Sequence, residues 1–323
     1  MLSPFLSFTK VIYEGDMVLT YLIRRLLLTI PIVLGVIFIV ALSLELIPGD
    51  PVALMLGEFA SPELIAETKA SLDLDKPLWQ RYVLYVADLA QGDLGRSIKD
   101  NRRVVDAIGE TLPATLQLAG AAIAIAVLLG VPLGVASAAR PNSVLDNFVR
   151  VLSLAGLSMP VFWTGLVFIV VFSVELGWFP VAGRGTWRHV VLPATTLALP
   201  SVAILARMTR SSLLDVLQED YVRTARAKGI GERLILYKHG LRSALIPVVT
   251  ALGLQLGQML GGAVLTETVF AWPGLGRLTV FAIFNRDFIL VQGVVLVLAL
   301  IYVFVNLLVD VSYGLIDPRV SYQ

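Results

Sequence analysis

Uncharged, largely apolar residues fill six stretches of this chain: Leu26–Leu44, Leu112–Ala139, Val151–Val174, Val190–Ala206, Ser243–Thr266 and Phe288–Val309. A helix rising 1.5 Å per residue needs about 20 residues to cross roughly 30 Å of hydrocarbon. The pattern therefore predicts an all-α polytopic membrane protein with about six transmembrane helices. The fourth stretch is the shortest and contains Pro193 and Pro200, so the helix there either kinks or continues beyond Arg207.

The polar intervals divide the chain further. Residues 1–16 form an N-terminal extension too short and too polar to span a membrane, and Met17 is an alternative start. Residues 17–47 carry the first span, which lacks a small-residue cleavage site after a short apolar core and is read as retained. Residues 48–111 hold helical patterns in "SPELIAETKASL" and "PLWQRYVLYVADLA", and predict a small folded extracytoplasmic subdomain. Trp79, Tyr82 and Tyr85 fall at helical spacing within it, as a face resting on the membrane interface requires. Residues 112–323 form a five-span core, interrupted by a polar segment at about 207–242.

Placing the N-terminus in the cytoplasm puts 14 basic residues on inside segments: Lys10, Arg24, Arg25, Arg140, Arg150, eight from Arg207 to Arg242, and Arg319. The short outside loops then hold four: Arg184, Arg188, Arg277 and Arg286. This asymmetry satisfies the positive-inside rule and places both termini in the cytoplasm. Residues 48–111 stay out of the count because long segments translocate largely regardless of charge.

Composition agrees: 57% of residues are hydrophobic and 15% charged, against about 25% charged in soluble domains. The net charge of +1 argues neither for a nucleic-acid partner nor for an acidic one. With no cysteine and two histidines, His189 and His239, thiolate sites are excluded and a histidine-built metal site is disfavoured. No G-x-x-x-x-G-K-[ST] phosphate loop, H-E-x-x-H or G-x-S-x-G motif occurs, so nothing points to a catalytic residue or to ATP binding on this chain.

Carboxylates sit at the ends of the apolar runs, at Glu45, Glu175, Glu267 and Asp310, where interfacial solvation accounts for them. Deeper polar residues are neutral: Gln117, Gln255, Gln258 and Asn306. Each either lines a hydrophilic translocation path or forms interhelical hydrogen bonds. "LAGAAIAIAVLLGVPLGVASAA" and "LGLQLGQMLGGAV" repeat small residues at three- and four-residue spacing. Gly253, Gly257 and Gly261 mark a glycine face that packs within the chain or against a second membrane subunit.

The most cationic segment, "EDYVRTARAKGIGERLILYKHGLRSALIPVV" at 219–249, lies between two apolar stretches. Gln218–Lys228 suits a short helix, with Gly229 ending it in left-handed geometry. Such a helix rests beside anionic lipid or fits a cleft on a soluble partner.

"EDYVRTARAKG" followed by "HGLRSALIPVV" resembles the cytoplasmic coupling loop of ATP-binding-cassette importer permeases of the dipeptide, oligopeptide and nickel branch. The likeness continues through "LIPGDPV" at 46–52, "QGDLGRS" at 91–97, "ETVFAWPGLGRL" at 267–278 and "NLLVDVSYGLIDPRVSY" at 306–322. Arg223, Thr224 and Ala225 stand where the wider importer pattern E-A-A-x-x-x-G has its first three residues. Pro247 also lies farther from Gly229 than in that pattern, and both departures agree with the peptide branch.

The resemblance implies a type I importer permease in a bacterial inner membrane, paired with a second homologous permease subunit. Two cytoplasmic ATPases would supply ATP and Mg, and a periplasmic or lipid-anchored binding protein would deliver substrate. No cofactor is implied on this chain. Coupling to the ATPases falls to Glu219, Asp220, Tyr221, Arg223, Thr224, Ala225, Arg226, Lys228 and Gly229. "FSVELGWFP" and "TWRHVVLP" look most like permeases for short peptides, including glutathione. The alternatives are a nickel-complex permease and a self-sufficient secondary transporter or channel.

Overall fold

The computed structural model describes residues 27–42, 52–53, 61–71 and 74–316. Their regular elements are helices: α1 (Leu27–Leu42), α2 (Pro62–Ser71), α3 (Leu78–Ala90), α4 (Val104–Ala139), α5 (Val144–Ser158), α6 (Val161–Phe168), α7 (Trp187–Val216), α8 (Asp220–Ala227), α9 (Leu241–Val269), α10 (Leu275–Phe284) and α11 (Phe288–Ile316). Wide π-type turns extend α6 through Ile169–Glu175 and lead into α9 through Ile235–Gly240.

Among the described residues four helical stretches are long and apolar enough to span a membrane: Val104–Ala139, Trp187–Val216, Glu232–Met259 and Phe288–Val309. The pair α5 and α6 makes a fifth if taken as one span. α1 is the described part of the first expected span; Glu45, the residues 1–16 and most of "LIPGDPV" lie outside the described residues.

The third expected span is not straight. α5 and its continuation from Val161 to Glu175 meet at 107°. Met159, with φ −86 and ψ 128, precedes Pro160, whose ring disfavours helical geometry in the residue before it. The fourth, by contrast, continues through both prolines and past Arg207 to Val216.

The described residues fall into two compact units, one reaching to Asp106 and resuming at Ala282, the other Ala107–Phe281. In the first, α3 rests on α1. The Tyr82 hydroxyl donates to the Leu34 carbonyl at 3.1 Å, and its ring meets Phe38 edge-on at 5.9 Å. Tyr85 is turned inward, its hydroxyl lacks a hydrogen-bond partner, and burial pushes its pKa up to about 12. The three aromatics therefore do not share one interfacial face; only Trp79 is widely exposed.

The "QGDLGRS" segment folds into a hook closed by the Arg96–Arg103 bridge. Its end is held by Asp287, whose carboxylate accepts from Ser97 Oγ at 2.5 Å and from the Ile98 amide at 3.3 Å. The same carboxylate accepts from the Leu290 amide in the first turn of α11. One buried side chain thus fixes a loop and caps a helix.

The second unit is built on close backbone contact between α4 and α7. A methyl group at Gly130 would stand 2.9 Å from Leu205 Cβ and 3.0 Å from the Val202 carbonyl oxygen. At Gly134 it would stand 2.5 Å from both the Ala206 carbonyl oxygen and Thr209 Cβ. This four-residue pair of glycines lets the helices approach more closely than any larger residue permits. Ala114, Leu118, Ala122 and Ala126 continue the buried face of α4 against Ala194 and Leu197 of α7.

Candidate coupling site

α8 is a two-turn helix with an inner and an outer side. Val222 and Ala225 are buried and pack with Ile235, Leu217 and Ile230. Glu219 precedes the helix with extended backbone, Asp220 lies in its first turn and Arg226 in its last, which suits the helix dipole. Gly229 follows at φ +77, the left-handed conformation that only glycine adopts without penalty, and no atom would obstruct a side chain there.

The outer side is polar. Glu219, Asp220, Tyr221, Arg223, Thr224, Arg226 and Lys228 are all exposed. Arg223 pairs with Asp220 at 3.2 Å, and the Thr224 hydroxyl donates to the Asp220 carbonyl. Arg226 has a different role from Arg223. Its guanidinium donates to both oxygens of Glu232, at 2.7 and 3.3 Å, and to the Leu217 carbonyl at 3.3 Å. The carboxylate bond raises the Arg226 pKa and ties the end of α8 to the elements on either side. Tyr221 reaches back toward the His239 carbonyl and Ser243 Oγ, both at 3.4 Å.

The neutral polar residues do not share one setting. Gln255 is buried and accepts from Ser201 Oγ at 3.0 Å, an interhelical hydrogen bond between α9 and α7. Gln117 is exposed and accepts from Arg184 Nε at 3.0 Å. Gln258 is exposed on α9, and Asn306, half-buried on α11, belongs to the other unit. Nor do the α9 glycines form a uniform face: Gly253 and Gly257 are buried, whereas Gly261 is exposed with open space beside it.

Glu267 corrects the expectation of interfacial solvation, because it is fully buried. Its carboxylate accepts from Thr115 Oγ1 at 2.6 Å and from the Arg277 amide at 3.0 Å. Thr115 Oγ1 in turn accepts from the Leu275 amide at 2.8 Å, and Trp272 Nε1 donates to the Ala114 carbonyl at 2.9 Å. A methyl group at Gly274 would fall on the Glu267 carboxylate. The segment "ETVFAWPGLGRL" is thereby a single device in which a glutamate caps the helix that follows its own turn.

These elements present a polar helix on an apolar footing. Residues 130–322 match the family described as "Binding-protein-dependent transport system inner membrane component". Residues 18–119 match its N-terminal counterpart, "Binding-prot-dependent transport system membrane comp, N-term". This chain belongs to that family of permeases. It is 43% identical to the dipeptide transport system permease protein DppB of Alkalihalophilus pseudofirmus, across 94% of this chain and 100% of the relative. It is 45% identical to the glutathione transport system permease protein GsiC of Pectobacterium atrosepticum, with the same two coverages. A chain of the MetNI methionine ABC transporter in an inward-facing conformation superposes with a TM-score of 0.55 at 18% identity. That match covers 65% of this chain and 96% of the other, and shows a shared fold.

One further pair in the permease, Asp146 and Arg210, lies outside every sequence motif quoted above. Asp146, fully buried at the start of α5, is gripped by Arg210 of α7 through two bonds of 2.6 and 2.9 Å. The sequence signal was an Asp following Ser143 at helix N-cap spacing, which predicts a local role only. Ser143 does cap the helix, accepting from the Asp146 amide at 3.2 Å, but the Asp146 carboxylate points elsewhere.

Proposed function

We propose that this permease is one of two membrane subunits of an ATP-driven importer for short peptides, namely dipeptides, oligopeptides or glutathione. The observation that carries this reading is α8: a short polar helix seated on Val222 and Ala225, in a chain without a phosphate-binding loop. Relatives named as dipeptide and glutathione permeases support the substrate class.

In this reading α8 lies on the cytoplasmic side of a bacterial inner membrane and contacts an ATPase through Asp220, Tyr221, Arg223, Thr224 and Lys228. Glu219, Ala225, Arg226 and Gly229 hold the helix in place. Closure of the ATPase pair on ATP moves α8 and shifts the permease between global states. The work comes from the differential affinity of those states for ATP and for the binding protein, so the permease needs no catalytic group of its own. A second permease completes the path, ATP and Mg remain on the ATPases, and residues 48–111 face the binding protein. Gln117, Gln258 and Asn306 offer neutral hydrogen bonding along the path, weak enough for substrate to leave, while Gln255 serves the packing of α9 against α7.

The test is reconstitution in liposomes with the second permease, the two ATPases and the binding protein. The complex is expected to take up labelled dipeptide or glutathione only with ATP, and this chain alone to hydrolyse none. Uptake of a nickel complex in preference to peptide would move the substrate class. Peptide accumulation by this chain without ATPases would replace the importer reading with a secondary transporter.

A further inference from the structure

We propose that Asp146 and Arg210 form the joint through which movement of α8 reaches the bent pair α5–α6, which makes both residues positioning residues for transport. The proposal rests on α8 being the ATPase contact.

The joint gathers four pieces of chain on one carboxylate. Asp146 accepts from Arg210 Nε and Nη2 of α7, from Ser137 Oγ in the last turn of α4 at 2.5 Å, and from the Asn142 amide in the intervening turn at 2.8 Å. Asp146 itself sits in the first turn of α5. A carboxylate has about four lone-pair sites, so this one is saturated. Arg150 adds a longer approach of 3.8 Å from the next turn.

Arg210 is continuous with the coupling helix. It lies on α7, which runs unbroken to Val216 and reaches α8 across Leu217–Glu219. Arg226 then bonds back to the Leu217 carbonyl and to Glu232, so the corner between α7 and α8 is braced from within. Displacement of α8 therefore acts on α7 at its nearest turns.

The chemistry of the contact favours transmission over mere adhesion. α4 and α7 already adhere through Gly130 and Gly134, and the Thr209 hydroxyl lies buried there with no hydrogen-bond partner. A buried ion pair adds little net stability beyond a well-packed apolar pair, since desolvation offsets most of its Coulombic gain. A planar guanidinium holding both oxygens fixes orientation as well as distance, and a point charge does not. The fork prevents α7 from rolling against the first turn of α5 without carrying it along. Because α5 meets α6 at 107°, rotation at that first turn swings the α6 arm.

The experiment uses the full reconstituted complex and compares the parental permease with Arg210→Lys and with the double variant Asp146→Leu/Arg210→Met. Arg210→Lys keeps the charge and loses the fork; the double variant removes both charges, so neither leaves one unpaired. Peptide taken up per ATP hydrolysed is measured on purified complexes, together with stimulation of hydrolysis by loaded binding protein. We expect both variants to assemble with the ATPases, with uptake per ATP falling at least tenfold and stimulation lost. A parental ratio in the double variant overturns the joint, as does reduced assembly with an unchanged ratio in the complexes that do form. ATP-dependent uptake by the parental complex is the separate check on the importer reading, and its absence would count against that reading alone.

Discussion

Thr115 and Glu267, 152 residues apart in the chain, share a hydrogen bond of 2.6 Å inside the protein. The bond decides how the turn after α9 is built, because the same hydroxyl accepts from the Leu275 amide while the carboxylate accepts from the Arg277 amide. Removing the carboxylate leaves the buried Thr115 hydroxyl and the part-buried Arg277 amide without this acceptor, and a buried donor left unsatisfied costs about 1–3 kcal/mol. Glu267→Ala is therefore expected to lower the melting temperature of the detergent-purified permease markedly, followed by tryptophan fluorescence. Glu267→Gln, which retains one acceptor oxygen but turns an amide toward a donor, should fall between. Parental melting in Glu267→Ala would contradict the capping role.

Much of the architecture was legible in the order of apolar stretches and in the spacing of small residues. Hydrocarbon thickness sets a length that the sequence must meet, and backbone approach requires glycines such as Gly130 and Gly134 at one helical face. What escaped was the destination of individual charges. Glu267 sits at the end of an apolar run, as a solvated interfacial residue also does. Only the returning turn, 10 residues on at Arg277, and the distant Thr115 distinguish the two cases. The Pro160 bend was missed for a related reason: an uncharged run reads as one span whether or not its backbone is straight. Gly229 was legible because its constraint is local, a left-handed turn after a short helix.

Arg223 and Arg226 are neighbours on α8 with different tasks. Arg226→Glu places a second carboxylate beside Glu232 and withdraws the donor from the Leu217 carbonyl, so peptide uptake should collapse. The exchange Arg226→Glu/Glu232→Arg is expected to restore a substantial share of it, since the bracing pair is rebuilt with reversed sense. Arg223→Glu disturbs only an exposed partner, Asp220, and should impair ATPase binding without such internal rescue. Reversing a partner-facing charge adds repulsion at the interface, which salt weakens. Equal recovery of Arg223→Glu by Asp220→Arg would show that both arginines serve the fold of α8.

Gly229 isolates backbone conformation from space. At φ +77 with no atom within reach of an added Cβ, a substitution there meets no clash, only the left-handed penalty of about 1–2 kcal/mol. Asn tolerates this region better than Ala, and a β-branched Val least. Uptake at matched membrane levels should follow Gly, Asn, Ala, Val in descending order. A reversed order, with Val above Asn, would place the constraint somewhere other than φ.

The sidedness of α8 is open to a direct test because the chain has no cysteine. Ser97 is an unsuitable reporter on the opposite side, being buried and bonded to Asp287. Lys99 and Thr224 are both exposed, the first in the hook before α4 and the second on the outer face of α8. Each is replaced singly by cysteine, and intact spheroplasts are treated with a membrane-impermeant maleimide before and after permeabilisation. The charge asymmetry of 14 basic residues inside against four outside predicts labelling of Lys99→Cys in both conditions. Thr224→Cys should label only after permeabilisation, because a coupling helix has to face the compartment that holds the ATPases. Labelling of Thr224→Cys in intact spheroplasts would invert the topology, and with it the assignment of α8 as the ATPase contact.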